Sequence, residues 1–159
     1  MRLLFLMLSL FVGSAAYAKP TLVATLPDLG AIARAVVGDD WNVVVLADPN
    51  QDPHYVDPRP SFLVTLAKAD ALLFNGLELE IGWLPPLLTN ARNTTIQPGG
   101  IGHIDASGFV LNKLGVPAKV DRAMGDIHAG GNPHYTIGPA AAAEIARGLS
   151  GHMTLLDGT

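Results

Sequence analysis

Cysteine is absent from the 159 residues, and charged side chains make up only 15% of them. The chain therefore forms no disulfide and carries no cysteine-linked lipid, so a packed core must supply its stability. A metal site in it must use His, Asp or Glu. The net charge is −4 and basic residues form no run, which argues against nucleic acid and anionic membrane surfaces as partners.

The N-terminus has the pattern of a secretory signal peptide. Arg2 supplies a positive charge, residues 3–12 are almost entirely apolar, and an Ala-Tyr-Ala stretch at 16–18 fits the small-x-small cleavage pattern. The alternative is a membrane anchor, but the apolar run is only about half of the roughly 20 residues that a spanning helix needs. We therefore predict that residues 1–18 are removed and that the mature chain starts at Lys19 in the periplasm.

Strand-like and helix-like segments alternate along the mature part. The apolar patterns predict strands at 21–26, 41–47, 71–74 and 94–97. They predict a first helix that Asp28 caps and Gly38 ends, and further helices at 61–68, 81–91 and 140–149. This alternation predicts an α/β fold, a parallel sheet flanked by helices. Since such sheets bind ligands at the carboxyl ends of their strands, the proline-rich loop over 48–60 is a favoured place for a site.

Two of the five histidines, His54 and His134, each lie between a proline and a tyrosine. Proline fixes its own φ and biases the preceding residue towards an extended backbone, so each imidazole is held on a stiff loop. Stiffness suits a metal ligand, because zinc requires its nitrogen ligands at about 2.0–2.1 Å. We predict that His54 and His134 bind a metal. On the residues alone, the alternative that both are polar loop side chains remains open.

The other three histidines have weaker support. His128 lies six residues before His134 across a Gly-Gly turn. Three roles are open for it: a further ligand, a shuttle that passes metal to His54 and His134, or a solvent-exposed loop side chain. We favour the last of these. His103 and His152 have no supporting context and are predicted to be ordinary polar residues.

Carboxylates lie close to two of the histidines: Asp52 and Asp57 flank His54, and Asp126 stands two residues before His128. A carboxylate that accepts the ring N–H of a metal-binding histidine orients the imidazole. Asp52 and Asp57 equally suit turns beside the neighbouring prolines, so both roles are open.

Three stretches together resemble the periplasmic metal-binding proteins of zinc and manganese ABC importers, the ZnuA-like family. They are DPHYVDPRPS at 52–61, ADALLFNGLELE at 69–80 and GDIHAGGNPHY at 125–135. They occur in the family's order and at its rough spacing. The resemblance covers nearly the whole mature chain.

The resemblance implies two α/β lobes joined by one long helix, with the metal held between them. Residues 19–139 match the first lobe and 140–159 the start of the linking helix, while the second lobe is absent. His54 and His134 match the first lobe's two ligands. The second lobe of the family supplies a His or Glu and a final Asp or Glu. Gly138 stands where the family often has an aspartate, which is expected to weaken a helix cap rather than remove a ligand.

The resemblance further implies a monomeric solute-binding protein, not an enzyme, that captures a divalent metal for the permease of an ABC importer. Zinc is preferred to manganese, because imidazole suits zinc and manganese favours oxygen ligands. The alternatives are a zinc-dependent hydrolase and a periplasmic metallochaperone. The sequence has no H-E-x-x-H motif for a hydrolase, and Glu78 and Glu80 are predicted to be helix-entry or surface acids.

Overall fold

A computed structural model describes residues 18–113, 115, 128 and 130–157. The predicted signal peptide lies outside the described residues apart from Ala18, and so does Asp126. Within these ranges, no helix has the length and apolar character needed to cross a membrane.

Four parallel strands form the sheet in the spatial order β2-β1-β3-β4. Their bounds are β1 Thr21–Ala24, β2 Asn42–Val45, β3 Ala71–Phe74 and β4 His103–Asp105. The two inner strands are almost continuously buried, as expected when both faces of a parallel sheet are covered. The parallel sheet confirms the α/β prediction.

The sheet is flanked by the helices α1 Pro27–Val37, α2 Pro60–Ala67, α3 Leu84–Ala91 and α4 Pro139–Asp157. In the sheet, β2 and β3 lie on opposite sides of β1. The connection from β1 through α1 to β2 and the connection from β2 through α2 to β3 therefore cross the sheet in opposite directions. Right-handed crossovers therefore place α1 and α2 on opposite faces. The contacts agree, since α1 packs with α4 and α2 packs with α3.

Proline, rather than a capping side chain, marks where several helices begin. Pro27, Pro60 and Pro139 are the first residues of α1, α2 and α4. Proline fits this position because its φ is helical and the N–H that it lacks has no partner within the helix. The prediction that Asp28 caps α1 is wrong, because the helix already begins at Pro27 and Asp28 lies inside its first turn. Gly38 ends the helix, as predicted, with a φ of 55°.

The sequence prediction fails at two short elements. Residues predicted as a strand at 94–97 form a 3₁₀ turn, Thr94–Ile96, because the side chain of Asn93 accepts a hydrogen bond from the Thr95 N–H. The strand His103–Asp105 was not predicted. Only Ile104 of its three residues is buried, so it leaves no apolar run to detect.

The helix predicted over 81–91 begins only at Leu84. The preceding residues form a turn in which Gly76, Leu77 and Glu78 all have positive φ angles. This turn occupies the carboxyl end of β3, the edge at which parallel sheets bind ligands.

Replacing Gly148 with alanine should lower the stability of the fold, although alanine is the better helix former by about 1 kcal/mol. A methyl group at Gly148 would overlap the ring of Phe109, which packs against α4. Overpacking of this kind costs about 1–3 kcal/mol. Thermal unfolding of the purified variant measures the effect.

Gly151 in the same helix is the matched control, because a methyl group there meets nothing within 4 Å. Gly151→Ala should leave the melting temperature unchanged or raise it. Equal melting temperatures for the two variants would show that close packing at Gly148 does not limit the stability.

Candidate metal site

His54 and His134 are presented by two turns with the same construction. The Asp52 Oδ1 accepts a hydrogen bond from the backbone N–H of His54 at 2.9 Å. The Asn132 Oδ1 accepts one from the backbone N–H of His134, also at 2.9 Å. Each turn therefore reads Asx-Pro-His, with the Asx side chain closing it and the proline restricting its backbone. This repeated unit is the physical basis of the stiffness predicted from the prolines.

Each turn is anchored to the rest of the lobe through the carbonyl group of its proline. The indole Nε1 of Trp83 donates to the Pro53 carbonyl at 2.9 Å. The amide Nδ2 of Asn75 donates to the Pro133 carbonyl at 2.9 Å. Both donor side chains belong to buried residues of the segment that joins β3 to α3.

The tyrosines that follow the two histidines differ in their environment. The Tyr135 hydroxyl donates to the backbone carbonyl of Asn75, and burial raises the pKa of this phenol. The Tyr55 side chain is 72% exposed. The matching Pro-His-Tyr patterns in the sequence therefore extend to equivalent structure only as far as the histidine.

The structure brings His54 and His134 together and adds His128 to them. The ring centroids of His54 and His134 lie 5.4 Å apart. His128 is half-buried and stacks on His54 with a centroid distance of 5.2 Å, so the preferred prediction of an exposed loop side chain is wrong. Across the described part of the chain, no group of three or more His, Cys, Asp and Glu side chains is already arranged to hold a metal ion.

Asp52 orients the His54 ring as well as closing its turn. The Asp52 Oδ1 lies 2.8 Å from the His54 Nδ1. The hydrogen bonds from the His54 backbone N–H and then from its ring lower the pKa of Asp52 below its ordinary value. A carboxylate only accepts hydrogen bonds, so the proton is on Nδ1 and the Nε2 of a neutral His54 carries a lone pair. Both roles weighed for Asp52 are realised, while Asp57 is exposed beside Pro58.

The Nε2 atoms of His54 and His128 lie 3.1 Å apart. Two nitrogens bound to one tetrahedral zinc ion at about 2.0–2.1 Å would lie about 3.3 Å apart. The two imidazoles thus have the separation of two ligands on one ion. When His54 is neutral, its Nε2 accepts and the N–H in this hydrogen bond comes from His128.

A family model described as zinc-uptake complex component A, periplasmic, matches residues 22–158. The chain belongs to this ZnuA family. It is a family of metal-binding, substrate-binding proteins of ABC transporters rather than of enzymes.

Two curated relatives show the range of metals named in the family. A manganese ABC transporter substrate-binding lipoprotein of Streptococcus gordonii is 33% identical over 105 residues, which cover 57% of this chain and 34% of the relative. An iron ABC transporter substrate-binding lipoprotein of Streptococcus pyogenes is 32% identical over 79 residues, or 48% of this chain and 26% of the relative. The chain thus matches about a third or less of the length of these relatives.

Solved structures share the fold. A crystal structure of ZnuA superposes with a TM-score of 0.66 at 22% identity, covering 88% of this chain and 50% of that one. A manganese-bound periplasmic metal binding protein from Candidatus Liberibacter asiaticus gives a TM-score of 0.67 at 22% identity, covering 87% and 46%. The described lobe corresponds to about half of each structure.

Glu80 of this ZnuA-family lobe is buried, with 3% exposure, and not the helix-entry or surface acid that was predicted. Its carboxylate accepts hydrogen bonds from the Thr25 hydroxyl and the Asn75 N–H, each at 2.7 Å, and from the Gly76 N–H at 3.2 Å. Burial raises its pKa, and these hydrogen bonds oppose the rise. Local sequence offered only one signal for this role, a carboxylate shortly after a buried strand. Glu78 is exposed, as predicted.

The remaining histidines, which were predicted to be ordinary polar residues, each lie within hydrogen-bond distance of a backbone carbonyl. The His103 Nδ1 lies 2.8 Å from the Ile96 carbonyl, and its ring packs 4.7 Å from that of Phe74. The His152 Nε2 lies 2.7 Å from the Ile101 carbonyl, which ties α4 to the loop before β4.

The buried Glu80 should make the stability of the fold depend on pH. Its folded pKa lies above the ordinary 4.5, so the folded state holds the proton more tightly than the unfolded state. Stability contributed by the protonated form is therefore lost as the pH rises through the folded pKa. We expect Glu80→Gln, which cannot ionise, to become more favourable relative to the wild type from about pH 4 to about pH 8.

Urea unfolding of both proteins across this range measures the difference in unfolding free energy. Glu78→Gln is the matched control, because it removes an exposed acid from the same turn. A constant difference between wild type and Glu80→Gln would contradict the raised pKa.

Proposed function

We propose that this lobe captures a divalent transition metal, zinc in preference to manganese, for an ABC importer, with His54 and His134 as ligands. The observation that carries the proposal is the cluster of three imidazoles, two of which, His54 and His134, are held by stiff turns. One pair of its nitrogens has the separation expected of two zinc ligands. Membership of a family of metal-binding transport proteins supports the same function.

The chemistry of the donors favours zinc. His54, His128 and His134 offer imidazole nitrogen, which suits zinc, whereas manganese favours carboxylate, carbonyl and water oxygens. Relatives are named for manganese and iron, and one solved structure is bound to Mn. Manganese is therefore the alternative cargo, and oxygen ligands from outside this lobe would favour it.

His128 joins the site as a third imidazole. Its Nε2 already faces that of His54, while His134 is exposed on the neighbouring turn. A metal ion binds the lone pair of a neutral imidazole, so His54 and His128 would bind it through Nε2 while each carries its proton on Nδ1. Protons compete with a metal ion for imidazole nitrogens, so acid is expected to weaken metal binding.

An open site of this kind suits delivery rather than permanent storage. His134 is exposed, and Ile137 close behind it is 85% exposed. An accessible ion with an incomplete protein shell can exchange ligands with the permease of an importer. The predicted signal peptide would place the mature, monomeric protein in the periplasm, where such a permease receives its cargo.

Calorimetric titration with zinc and with manganese tests the assignment. His54→Ala and His134→Ala should each weaken zinc binding at least about tenfold, since losing a ligand costs no less than losing a group that orients one. His128→Ala should weaken zinc binding as well, because its Nε2 lies 3.1 Å from that of His54. His152→Ala, which removes a structural imidazole elsewhere, is the control and should bind zinc as the wild type does.

Wild-type affinity in the double variant His54→Ala, His134→Ala would show that the site is wrong. Tighter binding of manganese than of zinc would overturn the choice of metal. Zinc-dependent hydrolysis of generic esters or phosphates by the wild type would favour the hydrolase alternative.

A further inference from the structure

We propose that the segment 75–83 is the positioning element that sets the separation of the two Asx-Pro-His turns, with Asn75 and Trp83 as its positioning residues. This inference rests on the proposed function, because positioning matters only if His54 and His134 bind the same ion. Asn75 and Trp83 each act on the proline carbonyl immediately before a histidine.

A single short stretch of chain supplies both anchors. Asn75 follows the last residue of β3 and holds Pro133, while Trp83 precedes the first residue of α3 and holds Pro53. The two histidine turns are far apart in sequence, so their relative position depends on tertiary contacts. A rigid connection between the anchors therefore fixes the spacing of the imidazoles.

The connection between the anchors is rigid because of its backbone conformation. Gly76, Leu77 and Glu78 have consecutive φ angles of 79°, 52° and 64°. Left-handed conformations are unfavourable for residues other than glycine and persist where the surroundings impose them. Strand β4 approaches Gly76 so closely that a side chain there would collide with the Asp105 carboxylate.

Glu80 holds this left-handed turn in place from inside. Its two carboxylate oxygens accept hydrogen bonds from the N–H groups of Asn75 and Gly76 and from the Thr25 hydroxyl. The turn is thereby tied to the carboxyl ends of β1 and β3. Movement of the anchors would break hydrogen bonds to a buried carboxylate, which is costly.

The His134 loop meets this turn at three points. The Asn75 amide binds the Pro133 carbonyl, and the Tyr135 hydroxyl donates to the Asn75 carbonyl. Gly130 lies against Leu77 so closely that an added methyl would come within 3.0 Å of its Cδ2. An exposed histidine is thus carried by a loop that is fixed on its inner side.

An asparagine at position 75 costs stability, which a purely structural role in the core would not explain. It is 1% exposed, and its Oδ1 accepts no hydrogen bond from any residue that the structure describes. A buried polar atom without a partner lowers stability. The group that Asn75 uses is its amide N–H, which reaches the histidine loop.

Zinc affinity in a matched pair of variants tests the proposal. Asn75→Ala removes the bond to Pro133 and should weaken zinc binding about tenfold, at the lower end of the effect of removing groups that orient ligands. The control is Asn93→Ala. Its Nδ2 similarly donates to backbone carbonyls, those of Leu66 and Ala69 at 2.9 and 2.7 Å, but remote from the histidines. It should lower the melting temperature and leave zinc affinity unchanged.

A double-mutant cycle separates positioning from a general loss of stability. If Asn75 acts through His134, adding Asn75→Ala to His134→Ala should cause no further loss of zinc affinity. Additive losses, or equal losses in the Asn75 and Asn93 variants, would overturn the proposal. Failure of the proposed function is distinct, because His134→Ala alone would then bind zinc as tightly as the wild type.

The second anchor, Trp83, allows an independent test of the proposal. Trp83→Phe keeps an aromatic ring but removes the N–H that holds Pro53, and it should weaken zinc binding non-additively with His54→Ala. Trp41→Phe, a change of the same kind at another buried position, should not weaken it. Wild-type affinity in Trp83→Phe would overturn this arm.

A metal-free measurement decides the outcome even if zinc does not bind. Amide hydrogen exchange over residues 131–137 should accelerate in Asn75→Ala and remain unchanged in Asn93→Ala. Unchanged exchange in Asn75→Ala would show that the bond to Pro133 does not hold the loop.

Discussion

The carboxylate of Glu80 constrains the arrangement of everything around it. A buried carboxylate must have donors, and here they come from Thr25 at the end of β1 and from the backbone just after β3. The backbone N–H groups after β3 reach the Glu80 carboxylate because the chain there forms a left-handed turn. This turn also places the side chains of Asn75 and Trp83 within hydrogen-bond distance of the proline carbonyls that precede His134 and His54, respectively. The positions of the His54 and His134 imidazoles thus follow from a hydrogen-bond network inside the lobe.

This arrangement combines two properties that are often in conflict. A metal carrier needs ligands held at a defined distance, and it also needs them accessible so that the ion can leave. In this lobe the stiffness comes from the inner side, through the Asx-Pro turns and their anchored carbonyls. The outer side stays open, with Tyr55 and Ile137 largely exposed. Ligand geometry and ligand exchange therefore depend on different parts of the same turns.

The sequence was informative wherever local chemistry decides the structure. The strand Ala71–Phe74 coincides with its prediction, because a short apolar run between polar residues has few other solutions. The end of α1 at Gly38 was also predicted, since a positive φ after a helix favours glycine. The Pro-His pattern singled out His54 and His134, and the structure places them side by side. Their role as ligands remains a prediction.

Three of the failures share one physical cause, which is that long-range contacts leave no periodic pattern. The local sequence predicts Glu80 to be a surface acid, because its partner Thr25 becomes a neighbour only through the pairing of β1 with β3. His128 reads as a loop residue because its neighbour, His54, is distant in sequence. The strand His103–Asp105 is defined by its pairing to β3 rather than by its own side chains. Only the folded sheet brings these groups together.

X-ray absorption spectroscopy of the zinc-loaded protein tests the central claim most directly, because it identifies the atoms bound to the ion. The account predicts imidazole nitrogens at about 2.0–2.1 Å from zinc, with fewer of them in His54→Ala and in His134→Ala. A shell made only of oxygen, or a shell unchanged by either substitution, would contradict it.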